Sequence, residues 1–348
     1  MLKVSHKSPG FRSFDLPFDK VFFFLPLTAC IITIYTSCVF LRYTDVQHPH
    51  HPPTTTQLKM SLKQLFILGM LANGLVMGQK LPIWQTLPPT PALPAPINTK
   101  TALIDGAHLW MQEYNKQAGI IPIVLDHGGL GYSAYFGSVI SRLVKDGHYV
   151  IAVDRRGHGR STFEDDDVFT YDGFAKDIDA QLKAAGVHQY NVVGWSDGAV
   201  TTLSALINPS TAASINKAFI FGGTATPQQS NATFSETTIF SEFVTRCGTE
   251  YAQLQPKANF TKFATKVATL EATLPQISDK QLGTIDGSRV IIVGAEHEEA
   301  VNLDVPTKLH DAIKGSKIQI LTGVSHFAPL QDPDQFTTAI ESFFALQS

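Results

Sequence analysis

The chain has 348 residues, of which 44% are hydrophobic and 16% are charged. This composition suits a globular protein with a sizeable core, either one large α/β domain with extra segments or two small domains. The formal net charge of −3 provides no basic surface, so a nucleic-acid partner is not expected. Three cysteines are too few for a disulfide framework or a cysteine-based metal site.

The N-terminal region carries two apolar stretches that indicate export. Residues 21–41 form an uncharged stretch long enough to cross a bilayer, and four basic residues precede it. Residues 60–78 have the charged start, apolar centre and small final residue of a secretory signal peptide, with cleavage near Gly78. Translation could start at Met1 or at Met60. We expect a secreted or lumenal protein, or one anchored through residues 21–41 with its domain on the non-cytosolic side.

Two sequence triplets, Asn231-Ala-Thr and Asn259-Phe-Thr, fit the N-glycosylation pattern and agree with export. We divide the chain into four regions. They are a signal, membrane and linker region (1–78), a first part of the core (79–223), a helical insert (224–286) and a second part of the core (287–348). The only membrane contact we expect is through the N-terminal apolar segment.

Beyond the linker, strand and helix patterns alternate along the chain. Strands are predicted at 101–104, 107–112, 120–126, 149–153, 191–194, 218–221, 289–293 and 317–321. Helices are predicted at 136–146, 171–185, 199–206, 240–254, 260–274, 306–313 and 333–346, with another starting near residue 279. This alternation predicts an α/β protein with a mainly parallel central sheet, helices on both faces and an inserted helical cap.

The most informative stretch is 191–200, where a short apolar run leads into Gly194-Trp-Ser196-Asp-Gly198 and then into a helix. This is the Gly-x-Ser-x-Gly pattern in the strand–turn–helix setting that it requires. A serine hydroxyl becomes a good nucleophile only when it stands clear of its neighbours and meets a general base. The sharp turn supplies the exposure, and its crowding favours small residues on both sides of Ser196.

Three further strand ends offer reactive groups, and the carboxyl ends of parallel strands collect at one edge of a sheet. They carry His127-Gly128-Gly129, the acidic run 296–299 and Ser325-His326-Phe327. The chain order serine, acid, histidine is the order that a nucleophile elbow of this kind requires. Because no carboxylate follows the 218–221 strand directly, the acid is expected from the glutamates of 296–299.

These motifs resemble the α/β-hydrolase fold family, in particular its esterase, enol-lactonase and cofactor-free haloperoxidase-like branch. The resemblance extends from about residue 102 to the C terminus, except in the insert. The matching pieces are 127–129, 154–161, 194–198 and 324–330. The acidic motif departs from the family pattern, because the family usually has Gly-Asp-x-Asp or Gly-Asp-His-Asp-Glu where this chain reads Gly-Ala-Glu-His-Glu-Glu.

Aligning the acidic runs makes Glu298 the expected triad acid, with Glu296 and Glu299 as alternatives. The resemblance then implies that Ser196 is the nucleophile, that His326 is the general base and acid, and that Glu298 orients the imidazole. The tetrahedral oxyanion would bind to the backbone N–H groups of Gly129 and Asp197.

Other residues with reactive side chains are given structural roles. His127 resembles the family's structural histidine, which orients the oxyanion loop, and His158 is expected to stabilise a turn. His297 has glutamates beside it but no second histidine at helical spacing, so no metal site is predicted there. No cofactor is expected.

The leading hypothesis is a serine hydrolase that cleaves a small ester, lactone or related carbonyl compound through an acyl-enzyme. One alternative is cleavage of a C–C bond, or perhydrolysis, by the same triad. The other is a non-catalytic binding module with a hydrolase-like fold. The expected partner is a small-molecule substrate, whose identity the insert sequence does not reveal.

Overall fold

The computed structural model describes residues 81–255 and 257–344 and four short strands nearer the N terminus. The chain divides into two compact units, residues 1–80 and 81–348. The described strands of the first unit form an antiparallel sheet in the order β1-β2-β3-β4. Their bounds are Phe22–Phe24 (β1), Cys30–Tyr35 (β2), Cys38–Tyr43 (β3) and Thr56–Met60 (β4).

The export signals fall mostly outside the described residues. The signal peptide predicted at 60–78 lies outside them except for Met60, and of the stretch 21–41 only the strand residues are described. Among the described residues, no helix is both long enough and apolar enough to cross a bilayer. Export and the four-region division of the chain therefore stay predictions.

An eight-stranded sheet organises the second unit, in the order β12-β11-β10-β9-β7-β8-β6-β5. Strands β7 to β12 run parallel to one another, while β6 pairs antiparallel with both β5 and β8. The predicted class, an α/β protein with a mainly parallel sheet, is confirmed. The strands are Asn98–Ile104 (β5), Ala107–Tyr114 (β6), Ile123–Asp126 (β7), Val150–Val153 (β8), Tyr190–Trp195 (β9), Ile215–Phe221 (β10), Val290–Ala295 (β11) and Lys317–Leu321 (β12).

Helices connect the strands close to the predicted positions. They are Gly137–Lys145 (α1), Tyr171–Ala184 (α2), Asp197–Ile207 (α3), Pro209–Ala212 (α4), Thr238–Leu254 (α5), Phe260–Thr273 (α6), Asp279–Leu282 (α7), Val305–Ala312 (α8), Ala328–Gln331 (α9) and Pro333–Phe344 (α10). Short 3₁₀ turns occupy 83–85, 133–136, 227–229, 234–236 and 287–289. The sequence pattern missed α4 and α9, because a four-residue helix is shorter than one period of the apolar repeat that reveals helices.

The core lies on both faces of the sheet, since successive side chains of a strand point to opposite sides. In β9, Val193 joins the cluster packed against α1 and α10, whereas its neighbour Val192 joins the cluster packed against α2, α3 and α8. Every residue of β7, β8, β9 and β11 is buried. Strands covered on both faces explain why the sequence showed continuous apolar runs there instead of alternation.

The helical insert lies between β10 and β11 and contains α5, α6 and α7. Three apolar residues of α6, Phe263, Val267 and Leu270, pack against the aromatic side chains that precede and begin α2. This packing fixes α6 beside the loops at the carboxyl ends of the central strands. The insert can therefore contribute side chains to a site at that edge.

Candidate active site

Ser196 occupies a strained turn between β9 and α3. Its backbone has φ 56° and ψ −119°, a left-handed conformation that is costly for a residue with a side chain. A Cβ atom at Gly194 would lie 2.4 Å from the carbonyl oxygen of Gly198, and one at Gly198 would lie 2.0 Å from that of Asp126. These distances agree with the expectation that crowding favours small residues on both sides of Ser196.

Ser196 is also the one residue of 191–200 that is not fully buried. Its N–H donates to the carbonyl of Phe221 at 2.8 Å, which ties the turn to the neighbouring strand β10. The turn therefore holds the Ser196 side chain where a small molecule could reach it from solvent.

His326 and Glu298 meet in a buried ion-pair contact. The distance from His326 Nδ1 to Glu298 Oε1 is 2.7 Å, although the ring N–H is not aligned well enough for a hydrogen bond. Glu298 Oε1 is held in place because it accepts hydrogen bonds from the backbone N–H groups of Ala300, at 2.9 Å, and Val301, at 3.2 Å. The carboxylate is therefore anchored before it meets the imidazole.

The other two glutamates of the acidic run have different neighbours. Glu296 is exposed and accepts a hydrogen bond from the Gly323 N–H at 2.7 Å. Glu299 accepts from the backbone N–H of His326 at 2.9 Å and from the Ser325 hydroxyl at 2.8 Å. Within the described part of the chain, neither carboxylate forms an ion pair with the His326 ring.

The charges around His326 set its protonation behaviour. Burial lowers the pKa of this imidazole, but the carboxylates of Glu298, Glu299 and Asp197 outweigh burial, and the net pKa is raised above its ordinary value. The surrounding carboxylates therefore favour the imidazolium form, which a general base becomes after it accepts a proton.

Gly222, just after β10, was not identified from the sequence. It has a φ of +64°, and a Cβ atom there would lie 2.8 Å from His326 Cε1 and 3.0 Å from Nδ1. Any side chain at this position would displace the ring. Two consecutive glycines after a strand indicate that another part of the chain approaches the backbone closely. Only the structure identifies that neighbour as His326.

Aromatic side chains surround the His326 ring and link it to the Ser196 turn. The ring of Trp195, the residue before Ser196, has its centroid 6.1 Å from that of His326. Phe221 stacks on the imidazole at 6.2 Å, and Phe234 of the insert meets it edge-on at 6.0 Å. The turn and the imidazole thus share one apolar enclosure.

The loop at 127–129 lies directly against the Ser196 turn. A Cβ atom at Gly128 would be 3.4 Å from the Ser196 Cβ. Within the described residues, the backbone N–H groups of Gly129 and Asp197 have no hydrogen-bond acceptor. Both groups are therefore free to donate to a ligand.

Arg155 lies beneath this loop. It belongs to the sequence motif 154–161, and the sequence alone assigns it no role. Its guanidinium pairs with Asp126, donates to the His127 carbonyl, and donates to the Gly128 carbonyl at 2.9 Å. His127 Nε2 accepts the Arg155 backbone N–H at 3.2 Å. A buried arginine thus anchors the loop from below.

The two histidines near Arg155 are held neutral. Burial and the positive charge of Arg155 lower the pKa of both His127 and His158 well below the ordinary value. His158 Nδ1 lies 3.0 Å from the carbonyl of Arg156, and its ring packs edge-on against Phe263. These contacts match the structural roles expected for both side chains.

On the other side of the Ser196 turn, two carboxyl groups face one another. Asp197 Oδ1 accepts a hydrogen bond from the Tyr171 hydroxyl at 2.8 Å, while Oδ2 is buried and has no partner among the described residues. Glu271 of α6 reaches the same place, because a Cβ atom at Gly129 would lie 2.6 Å from Glu271 Oε1 and 2.9 Å from Asp197 Oδ2. No motif surrounds Glu271, so the sequence pattern gives no signal for it.

The remaining predicted residues have no recognised role in this cluster. The Asn231 side-chain amide donates to the Glu299 carbonyl at 3.0 Å, and the exposed Asn259 caps α6 by accepting from the Lys262 N–H. His297 stacks on Trp84 with ring centroids 4.3 Å apart. The described residues contain no group of three or more potential metal ligands.

Comparisons with known proteins agree with this architecture. Residues 121–215 match the family model of the α/β hydrolase fold. A search of curated proteins finds no sequence match.

Several solved structures are similar over most of the chain. A meta-cleavage product hydrolase from Pseudomonas fluorescens IP01 is 16% identical with a TM-score of 0.59, covering 72% of this chain and 98% of its own. The esterase RhEst1 from Rhodococcus sp. ECU1013 is 19% identical with a TM-score of 0.57, covering 72% and 99%. An enol-lactonase from Burkholderia xenovorans LB400 is 17% identical with a TM-score of 0.56, covering 71% and 100%.

At these identities the solved structures establish the fold and leave the reaction open. The sheet order, the strand–turn–helix setting of Ser196 and the matched segment all agree with the family's architecture. The chain therefore has the α/β-hydrolase fold, and residues 121–215 match the model of that family.

Proposed function

We propose that the protein is a serine hydrolase that cleaves a small ester, lactone or related carbonyl compound through an acyl-enzyme. The observation that carries the proposal is the buried contact between His326 Nδ1 and Glu298 Oε1 at 2.7 Å, next to the strained turn that presents Ser196. Neither feature is needed for folding alone, since strain and buried charge both cost stability.

In the proposed reaction, the Ser196 hydroxyl attacks the substrate carbonyl carbon while His326 accepts its proton. Glu298 holds the imidazole in the tautomer that can accept that proton and stabilises the imidazolium that results. The imidazolium then donates the proton to the leaving alcohol, which departs and leaves an acyl group on Ser196. Water activated by the same imidazole releases the acid.

The negative charge of the tetrahedral intermediate needs hydrogen-bond donors that are in place before the reaction. The free N–H groups of Gly129 and Asp197 suit this role, and Arg155 holds the Gly128 carbonyl so that the loop cannot collapse onto them. Removing one such donor typically costs about 3 kcal/mol of transition-state stabilisation.

The assignment of Glu298 is supported by the contacts of the three candidate glutamates. Glu298 is buried, anchored by two backbone N–H groups and in contact with the imidazole. The carboxylates of Glu296 and Glu299 already accept other hydrogen bonds. Glu299 contributes its charge to the environment of His326 and holds its backbone, which is a positioning role.

A serine-directed fluorophosphonate probe tests the proposal directly. Applied to the full chain, it should label the wild type and fail to label Ser196→Ala, and that substitution should lower the rate of p-nitrophenyl ester hydrolysis by about 10⁴-fold or more. Ser141→Ala, on α1 away from the site, serves as the control and should label normally.

The outcomes separate the competing functions. Absence of labelling in the wild type, or equal labelling of Ser196→Ala, would favour a non-catalytic binding module. Labelling at Ser196 without turnover of any ester or lactone would instead favour C–C bond cleavage or perhydrolysis by the same residues.

A further inference from the structure

The proposed reaction uses the backbone of Asp197 and leaves two carboxyl groups beside the Ser196 turn unexplained. Asp197 Oδ2 and Glu271 Oε1 both approach the place that a side chain of Gly129 would occupy, at 2.9 Å and 2.6 Å. They come from different parts of the fold, since Asp197 begins α3 of the core and Glu271 lies on α6 of the insert. Packing of α6 against α2 brings them together.

The Asp197 side chain is buried and only half satisfied. The residue is 5% exposed, its Oδ1 accepts from Tyr171, and its Oδ2 has no hydrogen-bond donor in the described part of the chain. Leaving a buried carboxylate oxygen without a donor is costly, so such a group in a folded protein calls for an explanation. The unsatisfied oxygen lies against Gly129, on the same side of it as Glu271 Oε1.

Within the described residues, neither of the two carboxyl groups forms a salt bridge. Arg155 is the nearby cation that acts on both, but its guanidinium already pairs with Asp126. Glu271 as a residue is exposed, but its carboxyl end reaches the buried Asp197 carboxyl. Desolvation of the carboxyl ends raises the pKa of both groups, and the charge of Asp197 raises that of Glu271 further. A ligand that brings a positive charge and N–H donors would satisfy both groups.

We propose that Asp197 and Glu271 bind the protonated amine of a substrate whose carbonyl carbon Ser196 attacks. This proposal rests on the proposed function, because it assigns a substrate class to the same site. The carboxyl oxygens flank Gly129, whose N–H is the proposed donor to the oxyanion, so the amine must lie close to the carbonyl. Esters of short amino acids, with one or two carbons between nitrogen and carbonyl, meet this requirement.

The same geometry explains why a neutral substrate would be disfavoured. Carboxylate charge on this pair repels the developing oxyanion, and nothing in a neutral acyl group offsets that repulsion. An ammonium group beside the pair favours its ionised form, offsets that charge and donates to Asp197 Oδ2. A site built to pair with a polar group rejects analogues that lack it by large factors, because its own groups then stay unpaired.

The test compares three esters that differ only beside the carbonyl, namely the benzyl esters of alanine, lactate and propionate. With the full-length wild type, kcat/KM for the alanine ester should exceed that for the propionate ester by about 100-fold, with the lactate ester closer to propionate. Glu271→Gln should reduce this ratio by about 10-fold, and Asp197→Asn should remove most of it. Glu242→Gln, an exposed carboxylate of the insert that pairs with Arg246, is the matched control and should keep the ratio.

A binding measurement makes the result independent of turnover. Calorimetric titration of Ser196→Ala should show tighter binding of the alanine ester than of the propionate ester, and Glu271→Gln in that background should remove the preference. Equal hydrolysis or equal binding of the two esters would overturn the amine site while leaving the serine hydrolase proposal intact. Failure of the fluorophosphonate probe with preferential alanine ester binding would instead reject the hydrolase and keep the amine site.

Discussion

Two groups of buried charges lie within reach of the Ser196 turn, and they are built in opposite ways. Beneath the loop, Arg155 faces the opposite charge of Asp126 and two backbone carbonyls. Beside the loop, Asp197 faces a second carboxyl group, Glu271, and one Asp197 oxygen has no donor among the residues that the structure describes. The first group contributes a paired charge to the scaffold, whereas the second consists of two carboxyl groups without a salt-bridge partner in the described part of the chain.

This difference separates structural charges from those available for binding or catalysis. A paired buried charge is strongly destabilising when one partner is lost, because the other stays buried and uncompensated. An unpaired charge already costs stability, so removing it should help folding and harm only function. His326 and Glu298 are paired, but their contact also raises the pKa of an imidazole beside the reactive turn. We therefore group them with the charges available for binding or catalysis.

The largest effect is expected from Glu298→Gln. An amide cannot enforce the imidazole tautomer that accepts a proton, so kcat should fall by about 10⁴-fold. The pH profile should move as well. His326 must be neutral to act as a base, so the wild-type rate rises with pH through the raised pKa of His326. Removing the Glu298 charge lowers that pKa, and the rising limb should shift to lower pH.

Glu299→Gln is the internal control for that prediction. Glu299 also raises the pKa of His326, but its oxygens bond to the His326 backbone and to Ser325. Steady-state rates across the pH range should therefore show a smaller loss and a smaller shift. A greater loss for Glu299→Gln than for Glu298→Gln would contradict the assignment.

Arg155→Met tests the paired group and should act on stability first. The substitution leaves Asp126 buried without its cation, and we expect the free energy of unfolding to fall by about 3–5 kcal/mol. Urea denaturation followed by circular dichroism measures this loss. The double variant Arg155→Met with Asp126→Leu should recover most of it, because no unpaired charge is left. No recovery would mean that the hydrogen bonds of Arg155 to the loop carbonyls dominate.

Glu271→Gln should have the smallest effect on stability, and in the opposite direction. The pKa of Glu271 is raised in the folded protein, so the folded state binds this proton more tightly than the unfolded state does. Its contribution to stability is therefore lost as the pH rises from the unfolded-state pKa to the folded-state pKa. The variant should therefore be more stable than the wild type by less than about 1 kcal/mol, since solvent contact screens the charge. Thermal unfolding at several pH values should show the difference growing with pH. A destabilised variant would place Glu271 among the structural charges.

Several elements of the fold were predictable because their signals are local. Asp105-Gly106 between two alternating runs predicted the hairpin of β5 and β6, and both residues adopt positive φ. The continuous apolar runs predicted β7 and β9, whose neighbours cover both faces. The boundary of β7 was three residues too early, because Ile120 is exposed and its N–H bonds back to Gln117 in a turn.

The neighbours of the site residues were much less predictable, because they come from distant parts of the chain. Gly222 needs to be a glycine only because the His326 ring lies 2.8 Å from where its Cβ would be. Glu271 reaches Asp197 only because α6 of the insert packs onto α2. In both cases the constraint is a distance between segments, which no spacing along the chain records.

By itself, the sequence determined the alternation of strands and helices, the strand–turn–helix setting of Ser196 and the set of glutamates near His326. These follow from periodicity, glycine placement and local chemistry, which act over a few residues. Only the tertiary structure decided that Glu298 contacts the imidazole and that Asp197 shares its place with Glu271. Those choices depend on which side chains meet once the sheet has formed and the insert has packed, and that information is carried by the whole core.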